Sequence, residues 1–492
     1  MTVAEPPAAE REVIDRVPKG LLIAGEWRST RGSAIAVEDP STGRVLCEIA
    51  DASAEDAVAA LDAACAVREE WAAWAPRARG EILAAAYERI AERAEDLALL
   101  MSLEMGKPLA EARGEVAYGN EYLRWFAEES VRIDGRYGLA PDGSSRLLVT
   151  KAPVGPCLLI TPWNFPLAMG TRKVGPAIAA GCTMVVKPAQ QTPLTMLAFA
   201  EILESCGLPP GVLNVITSSS ASRVMDPLIA DPRARKLSFT GSTEVGRKLV
   251  EAAAPGLLRV SMELGGNAPF VVFEDADVDA AVEGAMLAKM RNGGEACTAA
   301  NRFYVHASVI DEFSAKLTER MAAQSVGRGS EGSDVGPLID EAQRSKVAEL
   351  VDDATSAGAR VLAGGSAIEG DGYFFEPTVL ADVPPSARIL GEEIFGPVAP
   401  IVGFETEDEA VAAANRTEYG LVAYVYTRDI ERGLRLIDRL DTGMVGLNRG
   451  LVSNPAAPFG GVKASGFGRE GGREGIEEYL ETRYVAIDRG QG

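Results

Sequence analysis

Residues 157–187 read CLLITPWNFPLAMGTRKVGPAIAAGCTMVVK. The stretch begins with four apolar residues, passes through a turn between two prolines into a pattern of helical length, and ends on a second apolar run at 183–187. Two short apolar runs joined by a helix are typical of a βαβ unit, whose parallel strands are buried on both faces. The stretch therefore predicts a parallel sheet that is covered by helices.

The same alternation continues on the C-terminal side of this unit. Further strands are predicted at 212–217, 236–240 and 259–264, and a second α/β series starts near Phe270. Sheets of this kind bind ligands at the carboxyl ends of their strands. The distinctive residues at these ends are the first candidates for a site: Asn164, Lys187, Gly241 and Glu263.

The segments outside the two series are predicted from their periodicity and their capping residues. We expect a loose tail over roughly the first dozen residues. Thr192 and Pro193 are interpreted as the N-cap and the first residue of a helix. The remaining predicted elements are helices at 53–74, 78–105, up to about 131, and 474–479, and strands at 146–150 and 484–487.

Length and composition restrict the class of protein. A chain of 492 residues is too long for one hydrophobic core and predicts two or three domains. No stretch approaches the roughly 18 apolar residues of a membrane span, and the acidic N-terminus does not resemble a secretory signal, so we expect a cytoplasmic protein. The net charge of −22 disfavours nucleic acid and anionic membranes. An anionic ligand would need local Arg or Lys residues.

The cysteines and the single histidine restrict the chemistry. The six cysteines include no Cys-x-x-Cys pair, which argues against a disulfide framework and a zinc knuckle. The one histidine, His306, lies in a strand-like run and is expected to be structural. Two-histidine metal sites are excluded, and Ser-His-Asp or Cys-His mechanisms would need His306 itself. We therefore predict no metal site, and we expect any general base to be a carboxylate.

Cys297 is the candidate nucleophile. It lies among small and polar residues in GGEACTAANR, residues 293–302. Because a free cysteine usually packs as a small hydrophobe, this assignment needs support from other residues. Asn164, fixed between two prolines, suits an oxyanion donor or a turn stabiliser. Glu263, which precedes two glycines, suits a general base or is an ordinary strand-end carboxylate.

Two further motifs suit a phosphate or a ribose. Gly241 and Gly246 flank the start of a helix, where free backbone N–H groups favour an anion; the alternative is helix–strand packing. Lys187 ends a strand next to a proline, where it either meets such a ligand or is simply solvated.

Together these motifs resemble the aldehyde dehydrogenase superfamily over nearly the whole chain. The resemblance implies an α/β fold with a Rossmann-type cofactor domain (1–136 and 156–263), an α/β catalytic domain (264–465) and a small β oligomerisation arm (137–155 and 478–492). It also implies a homodimer or homotetramer. The matching runs, in order, are PWNFP (162–166), Lys187-Pro188, FTGSTEVG (239–246), MELGGN (262–267), the Cys297 segment, EEIFGP (392–397) and PFGGVKASG (458–466).

The resemblance implies a role for each candidate. Cys297 would attack the aldehyde to form a thiohemiacetal, Asn164 and the Cys297 backbone N–H would hold the oxyanion, and Glu263 would activate the water that hydrolyses the thioester. Ala299 replaces a second cysteine found in some relatives, so no regulatory disulfide is expected in this loop. The implied cofactor residues are Thr161, Pro162, Trp163, Lys187, Gln190, Gly241, Ser242, Leu264, Glu393 and Phe395.

Gln190 bears on the choice of cofactor. NAD-preferring relatives often carry a glutamate three residues after the equivalent of Lys187, and that carboxylate would repel a 2′-phosphate. Gln190 is neutral, so NADP is the expected cofactor and NAD remains possible.

Within the superfamily the chain resembles the succinate-semialdehyde dehydrogenases. By this resemblance Arg172, Arg291 and Ser453 would bind the far carboxylate of the substrate, since a bidentate guanidinium recognises a carboxylate even on an acidic protein. The alternative is that both arginines form ordinary surface or interdomain salt bridges.

Other functions stay open at this point. They are oxidation of another carboxylated aldehyde such as glutarate semialdehyde, a broad-specificity aldehyde dehydrogenase, and a CoA-acylating relative, which Glu263 disfavours. From a different class, the chain could be a catalytically inactive, cofactor-binding structural protein.

Overall fold

The structure is a computed structural model that describes residues 7–30 and 34–489. Its helices lie mostly in the N-terminal third and between the strands of two large sheets. They are α1 (Ala8–Asp15), α2 (Ala54–Ala73), α3 (Pro76–Glu92), α4 (Ala94–Met105), α5 (Leu109–Glu129), α6 (Pro166–Ala180), α7 (Leu194–Ser205), α8 (Ala221–Ala230), α9 (Thr243–Ala253), α10 (Val278–Met290), α11 (Ile310–Ala322), α12 (Glu341–Ser356), α13 (Glu407–Asn415), α14 (Ile430–Arg439) and α15 (Glu474–Glu477).

The strands form the two large sheets and several small ones. They are β1 (Leu21–Ile23), β2 (Glu26–Arg28), β3 (Ala34–Asp39), β4 (Arg44–Ala50), β5 (Arg136–Leu139), β6 (Ser145–Pro153), β7 (Cys157–Ile160), β8 (Met184–Lys187), β9 (Leu213–Val215), β10 (Lys236–Thr240), β11 (Arg259–Glu263), β12 (Ala268–Val272), β13 (Ala300–His306), β14 (Arg360–Ala363), β15 (Thr378–Ala381), β16 (Val398–Phe404), β17 (Tyr419–Gly420), β18 (Val422–Tyr426), β19 (Met444–Leu447), β20 (Val462–Lys463), β21 (Gly466–Phe467) and β22 (Leu480–Asp488).

The first large sheet contains the βαβ unit of residues 157–187. Its strand order is β2-β1-β9-β8-β7-β10-β11-β21, and β7 and β8 pair in parallel with Ile160 opposite Lys187. After β7 the chain continues to β8 and β9 on one side, whereas β10 and β11 lie on the other. This reversal between β7 and β10 is a topological switch point, where parallel sheets open a crevice for ligands.

The second large sheet has the order β14-β15-β16-β13-β12-β18-β19 and is parallel except for β14. A separate antiparallel sheet, β22-β6-β5, joins the C-terminal strand to the segment before β7. The predicted α/β fold with two parallel series and a small β arm is confirmed. The division into domains at particular residues remains a prediction.

Helix α6 is buried along its whole length, from Pro166 to Ala180. It packs against α5, α3 and α7, and small residues allow close contact: Gly175 faces Phe126 of α5, and Gly170 faces Met196 of α7. A helix that is buried on all sides is normally apolar throughout. Because α6 also carries Arg172 and Lys173, it brings two cations into the interior.

Several sequence predictions need correction. The loose tail is predicted for roughly the first dozen residues, of which 1–6 lie outside the described residues, and the segment at 8–15 is helical. The helix predicted at 78–105 is two helices that meet at Arg93. Thr192 and Pro193 do not open a capped helix: α7 begins at Leu194, and the buried carboxylate of Glu104 accepts the N–H groups of Leu194 and Thr195 instead. A cap supplied by a residue 90 positions away leaves no local signal.

The last predicted elements are also shifted. Helix α15 ends at Glu477, and β22 begins at Leu480 rather than near 484 because it continues the antiparallel register with β6 to Pro153.

Within residues 7–30 and 34–489, no helix is long and apolar enough to cross a membrane. Over the same ranges, no group of three or more His, Cys, Asp or Glu residues could hold a metal ion.

Candidate active site

The candidate site lies at the switch point of the first sheet, where it faces the loop that leads into β13. A cavity of about 210 Å³ opens there. The residues that line it come from the ends of β7, β10 and β11, from helices α6 and α12, and from two loops of the second series. They include Pro162, Trp163, Asn164, Gly241, Ser242, Glu263, Leu264, Cys297, Glu393 and Phe395.

An unusual backbone path precedes Cys297. Three consecutive residues, Asn292, Gly293 and Gly294, have φ values of 56°, 61° and 80°. A non-glycine residue in this left-handed region is strained and persists only when its surroundings hold it. Asn292 is held by its backbone N–H, which donates to Glu111 Oε2, and by its amide. The turn leaves Cys297 as the one partly exposed residue between Gly294 and Ala300.

The loop after Glu263 fits closely against the nucleophile. A Cβ added at Gly266 would lie 2.2 Å from the carbonyl oxygen of Cys297, so only glycine is compatible with this approach. Gly294 is under the same restriction from the carbonyl of Gly396, also at 2.2 Å. These two contacts fix the cysteine between β11 and the segment that carries Glu393.

The Cys297 thiol is protonated in this environment. Burial raises the pKa of Cys297 to about 12, and the carboxylates of Glu393 and Glu263 add to the effect. The charges of Arg172 and Arg291 act in the opposite direction. Since the thiolate is the nucleophilic form, attack requires a base that removes the proton or a change in charge when ligands bind.

Asn164 lies where an oxyanion donor is needed. Its Nδ2 donates to the carbonyl of Glu295 at 3.0 Å, and its Oδ1 accepts the N–H of Phe165 at 3.1 Å. A primary amide has two N–H groups. One of them therefore orients the side chain, and the other is left for a ligand.

Glu263 ends β11 and is 4% exposed. Its Oε2 has no hydrogen-bond partner among the residues that the structure describes. Burial, followed by the charge of Glu470, raises the pKa of Glu263 well above its usual value. An unpartnered carboxylate with a raised pKa in a cleft has the properties of a general base that is active once the pH exceeds this raised pKa.

The wall opposite Cys297 suits a flat ring and a hydroxylated sugar. The Trp163 and Phe395 rings meet edge to face at 5.3 Å, and Phe395 is held at φ 54° by Gln343, whose amide donates to its carbonyl at 2.7 Å. Glu393 accepts the Gly266 N–H at 2.9 Å, and burial raises its pKa to about 7.

The other predicted cofactor residues fall into two groups. Gly241 and Ser242 open α9 at the cavity, and Pro162 and Leu264 also line it. Thr161, Lys187 and Gln190 lie further along the edge of the sheet: the Thr161 N–H donates to the Lys187 carbonyl at 3.2 Å, and Gln190 is exposed. Burial lowers the pKa of Lys187 to about 8.

A second cavity, of about 420 Å³, lies on the other side of Phe165 and contains two of the three predicted substrate residues. Arg291 and Ser453 line it, together with Tyr118 from α5. Arg291 lies over the rings of Phe165 and Tyr118 at 4.6 and 5.7 Å. It forms no ion pair with any carboxylate in the described part of the chain. It is therefore a cation available to a ligand.

Arg172 is placed differently. It is 2% exposed, lines neither of these two cavities, and its Nε lies 2.7 Å from Oε2 of Glu470. The main contact of Arg172 is therefore a salt bridge, as in the alternative given from the sequence. Its Nη2 has no hydrogen-bond partner in the described ranges, and its guanidinium lies over Tyr122, whose hydroxyl bonds to that of Tyr118 at 2.7 Å. Since Arg291 lies over Tyr118, the Tyr118–Tyr122 pair lies between the two arginines.

The sequence interpretation missed several residues that support this site. Glu470 pairs with Arg172 and Lys173. Lys107 and Glu115 hold the Asn164 loop. A signal was present for Lys107, which stands between Gly106 and Pro108. Glycine and proline on either side of Lys107 indicate only that the helix predicted at 78–105 ends there.

Known proteins resemble this chain along most of its length. The sequence model of the aldehyde dehydrogenase family matches residues 27–485. A succinate-semialdehyde dehydrogenase of Paenarthrobacter nicotinovorans is 62% identical over 90% of this chain and 99% of its own. A glutarate-semialdehyde dehydrogenase of Pseudomonas putida is 50% identical over 94% of this chain and 97% of its own.

A solved structure agrees with these sequence matches. The crystal structure of an NADP-dependent enzyme from E. coli superposes with a TM-score of 0.94 at 50% identity, and the match covers 96% of this chain and 98% of that one. The family model spans well over half of the sequence, and the site residues occur in the order of the family's motifs. The chain therefore belongs to the aldehyde dehydrogenase family.

Proposed function

We propose that this protein oxidises succinate semialdehyde to succinate, with NADP as cofactor and Cys297 as nucleophile. One observation carries the choice of substrate: Arg291, a cation without an ion-pair partner in the described chain, lines a cavity with Ser453 across Phe165 from the Cys297 cavity. A carboxylate held at Arg291 leaves the aldehyde end of a short chain to reach the thiol. The relative from Paenarthrobacter nicotinovorans carries the name of this activity.

The residues on the other side of Cys297 fit a nicotinamide cofactor. Trp163 and Phe395 form a wall for a flat ring, and Glu393 can accept hydrogen bonds from ribose hydroxyls. The N-terminus of α9, capped by Ser242, lies at the same cavity and favours a phosphate. A Cβ at Gly265 would lie 2.8 Å from Glu393 Oε2, so the glycine keeps the space in front of this carboxylate open. The bound cofactor supplies the hydride acceptor.

The protein's own groups then divide the reaction into two halves. In the first, the Cys297 sulfur adds to the aldehyde carbon, its proton passes to a base, and the free N–H of Asn164 with the Cys297 backbone N–H holds the oxyanion. Loss of hydride leaves a thioester on Cys297. In the second half, Glu263 takes a proton from water as that water attacks the thioester, which releases the acid and restores the thiol.

Replacement of Arg291 with glutamine tests the substrate. We expect kcat/KM for succinate semialdehyde to fall about 10- to 100-fold, mainly through KM, because a charge-assisted hydrogen bond worth about 1.5–3 kcal/mol is lost. The value for butanal, an uncharged aldehyde of the same length, should change little. Steady-state kinetics with both aldehydes provides the measurement.

Arg320 offers a matched control for that experiment. It lines the same cavity but is paired with Glu283, so Arg320→Gln should leave both substrates nearly unaffected. An equal loss for succinate semialdehyde and butanal in Arg291→Gln would show that Arg291 supports the fold of the loop and does not bind a carboxylate.

Glutarate semialdehyde is a second candidate substrate, because the residues that line the cavity suit ligands of more than one length. Met286 and Met290 line the cavity beside Arg291, and methionine adapts to ligands of different length. One methylene changes binding by only about 1–3 kcal/mol. The ratio of kcat/KM for the two semialdehydes decides between them.

Gln190 provides a test of cofactor choice. We expect wild-type kcat/KM to be higher with NADP than with NAD, and Gln190→Glu to reverse this order, because a carboxylate at this exposed position repels the 2′-phosphate. Kinetics with both cofactors at constant aldehyde gives the result. Higher wild-type efficiency with NAD would contradict the assignment. Gln191→Glu, one residue further along, is the control for a general effect of added charge.

We further propose that the protein forms homodimers or homotetramers through the arm sheet. Strand β22 is exposed at eight of its nine residues and presents Tyr484, Val485 and Ile487 to solvent. An edge strand of this length with apolar side chains is normally covered by another chain. Light scattering on the purified protein tests the oligomeric state.

The six free cysteines favour a reducing compartment, and we propose the cytoplasm.

A further inference from the structure

A buried ion pair lies beside Asn164. The Lys107 ammonium pairs with Oε2 of Glu115, and the two side chains are 1% and 0% exposed. Lys107 Nζ also lies 4.2 Å from the centre of the Phe165 ring. Two charges in the interior are tolerated when further hydrogen bonds hold them. The partners of those hydrogen bonds indicate what the pair does.

The remaining hydrogen bonds go to the backbone on either side of Phe165. Lys107 Nζ donates to the Asn164 carbonyl at 2.7 Å. Glu115 Oε1 accepts the N–H groups of Leu167 and Ala168 at 2.9 and 3.1 Å. These groups belong to the first turn of α6, where a carboxylate satisfies otherwise free donors. The pair therefore fixes the residue that bears the oxyanion amide and the helix that follows it.

The loop of Cys297 is attached to the same carbonyl. Asn292 Nδ2 donates to the carbonyls of Asn164 and Glu295 at 3.1 and 3.0 Å. The Asn164 amide donates to the Glu295 carbonyl as well, at 3.0 Å. The Asn164 carbonyl is thus the point at which the corner between α4 and α5, the loop before α6 and the nucleophile loop are joined.

We propose that Lys107 and Glu115 are positioning residues that set the separation between the Asn164 amide and the Cys297 thiol. The proposal rests on the proposed function only for the oxyanion role of Asn164, and it is independent of which aldehyde is oxidised. A misplacement of about 1 Å in a reacting geometry costs about 100-fold in rate. Loss of the pair therefore slows the chemical step and leaves the binding of cofactor unchanged. Because Glu115 also lines the cavity of Arg291, kcat is the readout of the positioning role, and not KM for the aldehyde.

The first experiment compares Lys107→Met with the double variant Lys107→Met/Glu115→Met. The single variant leaves a carboxylate buried without its partner, so its Tm falls. Its kcat should fall about 100-fold for both succinate semialdehyde and butanal, and the KM for NADP should be retained. The double variant removes both charges, and replacing a buried ion pair with apolar residues is often neutral for stability. We expect its Tm to recover and its kcat to stay low. Recovery of kcat together with Tm would overturn the proposal.

The second experiment combines Lys107→Met with Asn164→Ala. If the pair acts through Asn164, the double variant is little slower than the slower single variant, because both changes remove the same stabilisation. If the losses in kcat multiply, Lys107 acts elsewhere and the proposal fails. Lys107→Gln, which keeps a donor for the Asn164 carbonyl, should recover part of the rate.

Arg432→Met is the control for a general loss of stability. Arg432 pairs with Glu274 and Asp275 beside the second sheet, so its replacement should lower Tm and leave kcat unchanged. Assays of the wild-type enzyme with both aldehydes separate the proposed substrate from the proposed positioning role of Lys107 and Glu115. Oxidation of butanal without oxidation of succinate semialdehyde would remove the proposed substrate, yet the variants would still test the positioning role with butanal.

Discussion

Replacement of Cys297 with alanine is expected to abolish aldehyde oxidation, with a fall in kcat on the order of 10⁴-fold or more, while NADP binding is retained. The aldehyde carbon releases hydride only after a nucleophile has added to it, and Cys297 is the thiol that lines the cavity in the described part of the chain. The cofactor wall is built by Trp163, Phe395 and Glu393 and does not depend on the thiol. NADPH formation and a calorimetric titration with NADP measure the two properties.

Cys65→Ala is a matched control for Cys297→Ala, because Cys65 is also a half-buried free cysteine but lies in α2. It should keep wild-type kcat. Oxidation at a normal rate by the Cys297 variant would remove the covalent mechanism. Loss of NADP binding together with activity would indicate that the side chain supports the loop rather than reacts.

Replacement of Glu263 with glutamine is expected to separate the two halves of the reaction. The variant should form about one NADPH per active site in a rapid phase and then turn over roughly 10²- to 10⁴-fold more slowly, since a general base contributes about that factor. The reason is that hydrolysis of the thioester needs a base, whereas formation of the thioester does not need this carboxylate. Stopped-flow absorbance and mass spectrometry of the acylated protein measure the phase and the intermediate.

The pH dependence of the wild-type steady-state rate should reflect the protonation of Glu263. Burial and the charge of Glu470 raise the pKa of Glu263 well above its usual value, and the residue acts as a base only when deprotonated. The steady-state rate therefore increases as the pH rises through this pKa, and the increase disappears in Glu263→Gln. Absence of the rapid phase in that variant would instead assign Glu263 to deprotonation of Cys297. Glu283→Gln, at an exposed ion pair, is the control.

The sequence was sufficient for the parts of the fold that depend on local pattern. The βαβ unit at 157–187 and the strand ends with Asn164 and Glu263 follow from apolar runs and turn residues, and the structure places both side chains at one cavity with Cys297. These residues lie where a parallel sheet opens its crevice. A correct strand assignment therefore already brings them close together.

The features that were missed depend on contacts between distant parts of the chain. Glu104 caps α7, and Glu470 pairs with Arg172 almost 300 positions away. The substrate role of Arg172 stays a prediction. Its ion pair with Glu470 gives no local pattern, because Glu470 lies beyond the second sheet in sequence. Lys107, in the corner between α4 and α5, and Glu115 on α5 are a similar case, since charged residues are normally exposed. Burial of these charges becomes visible only when α5 and α6 are packed together.

The short strand β21 bears on how the enzyme is made. It pairs with β11 so that Gly466 lies opposite Glu263, and the nearby Glu470 neutralises the cations on α6. Synthesis proceeds from the N-terminus, and domains tend to fold as they emerge. A nascent chain that has reached residue 460 contains Cys297, Asn164 and Glu263, but it lacks the strand that borders the base and the carboxylate that balances Arg172. The surroundings of Glu263 and Arg172 are therefore complete only after residues 466–470 have been synthesised and have packed against β11 and α6.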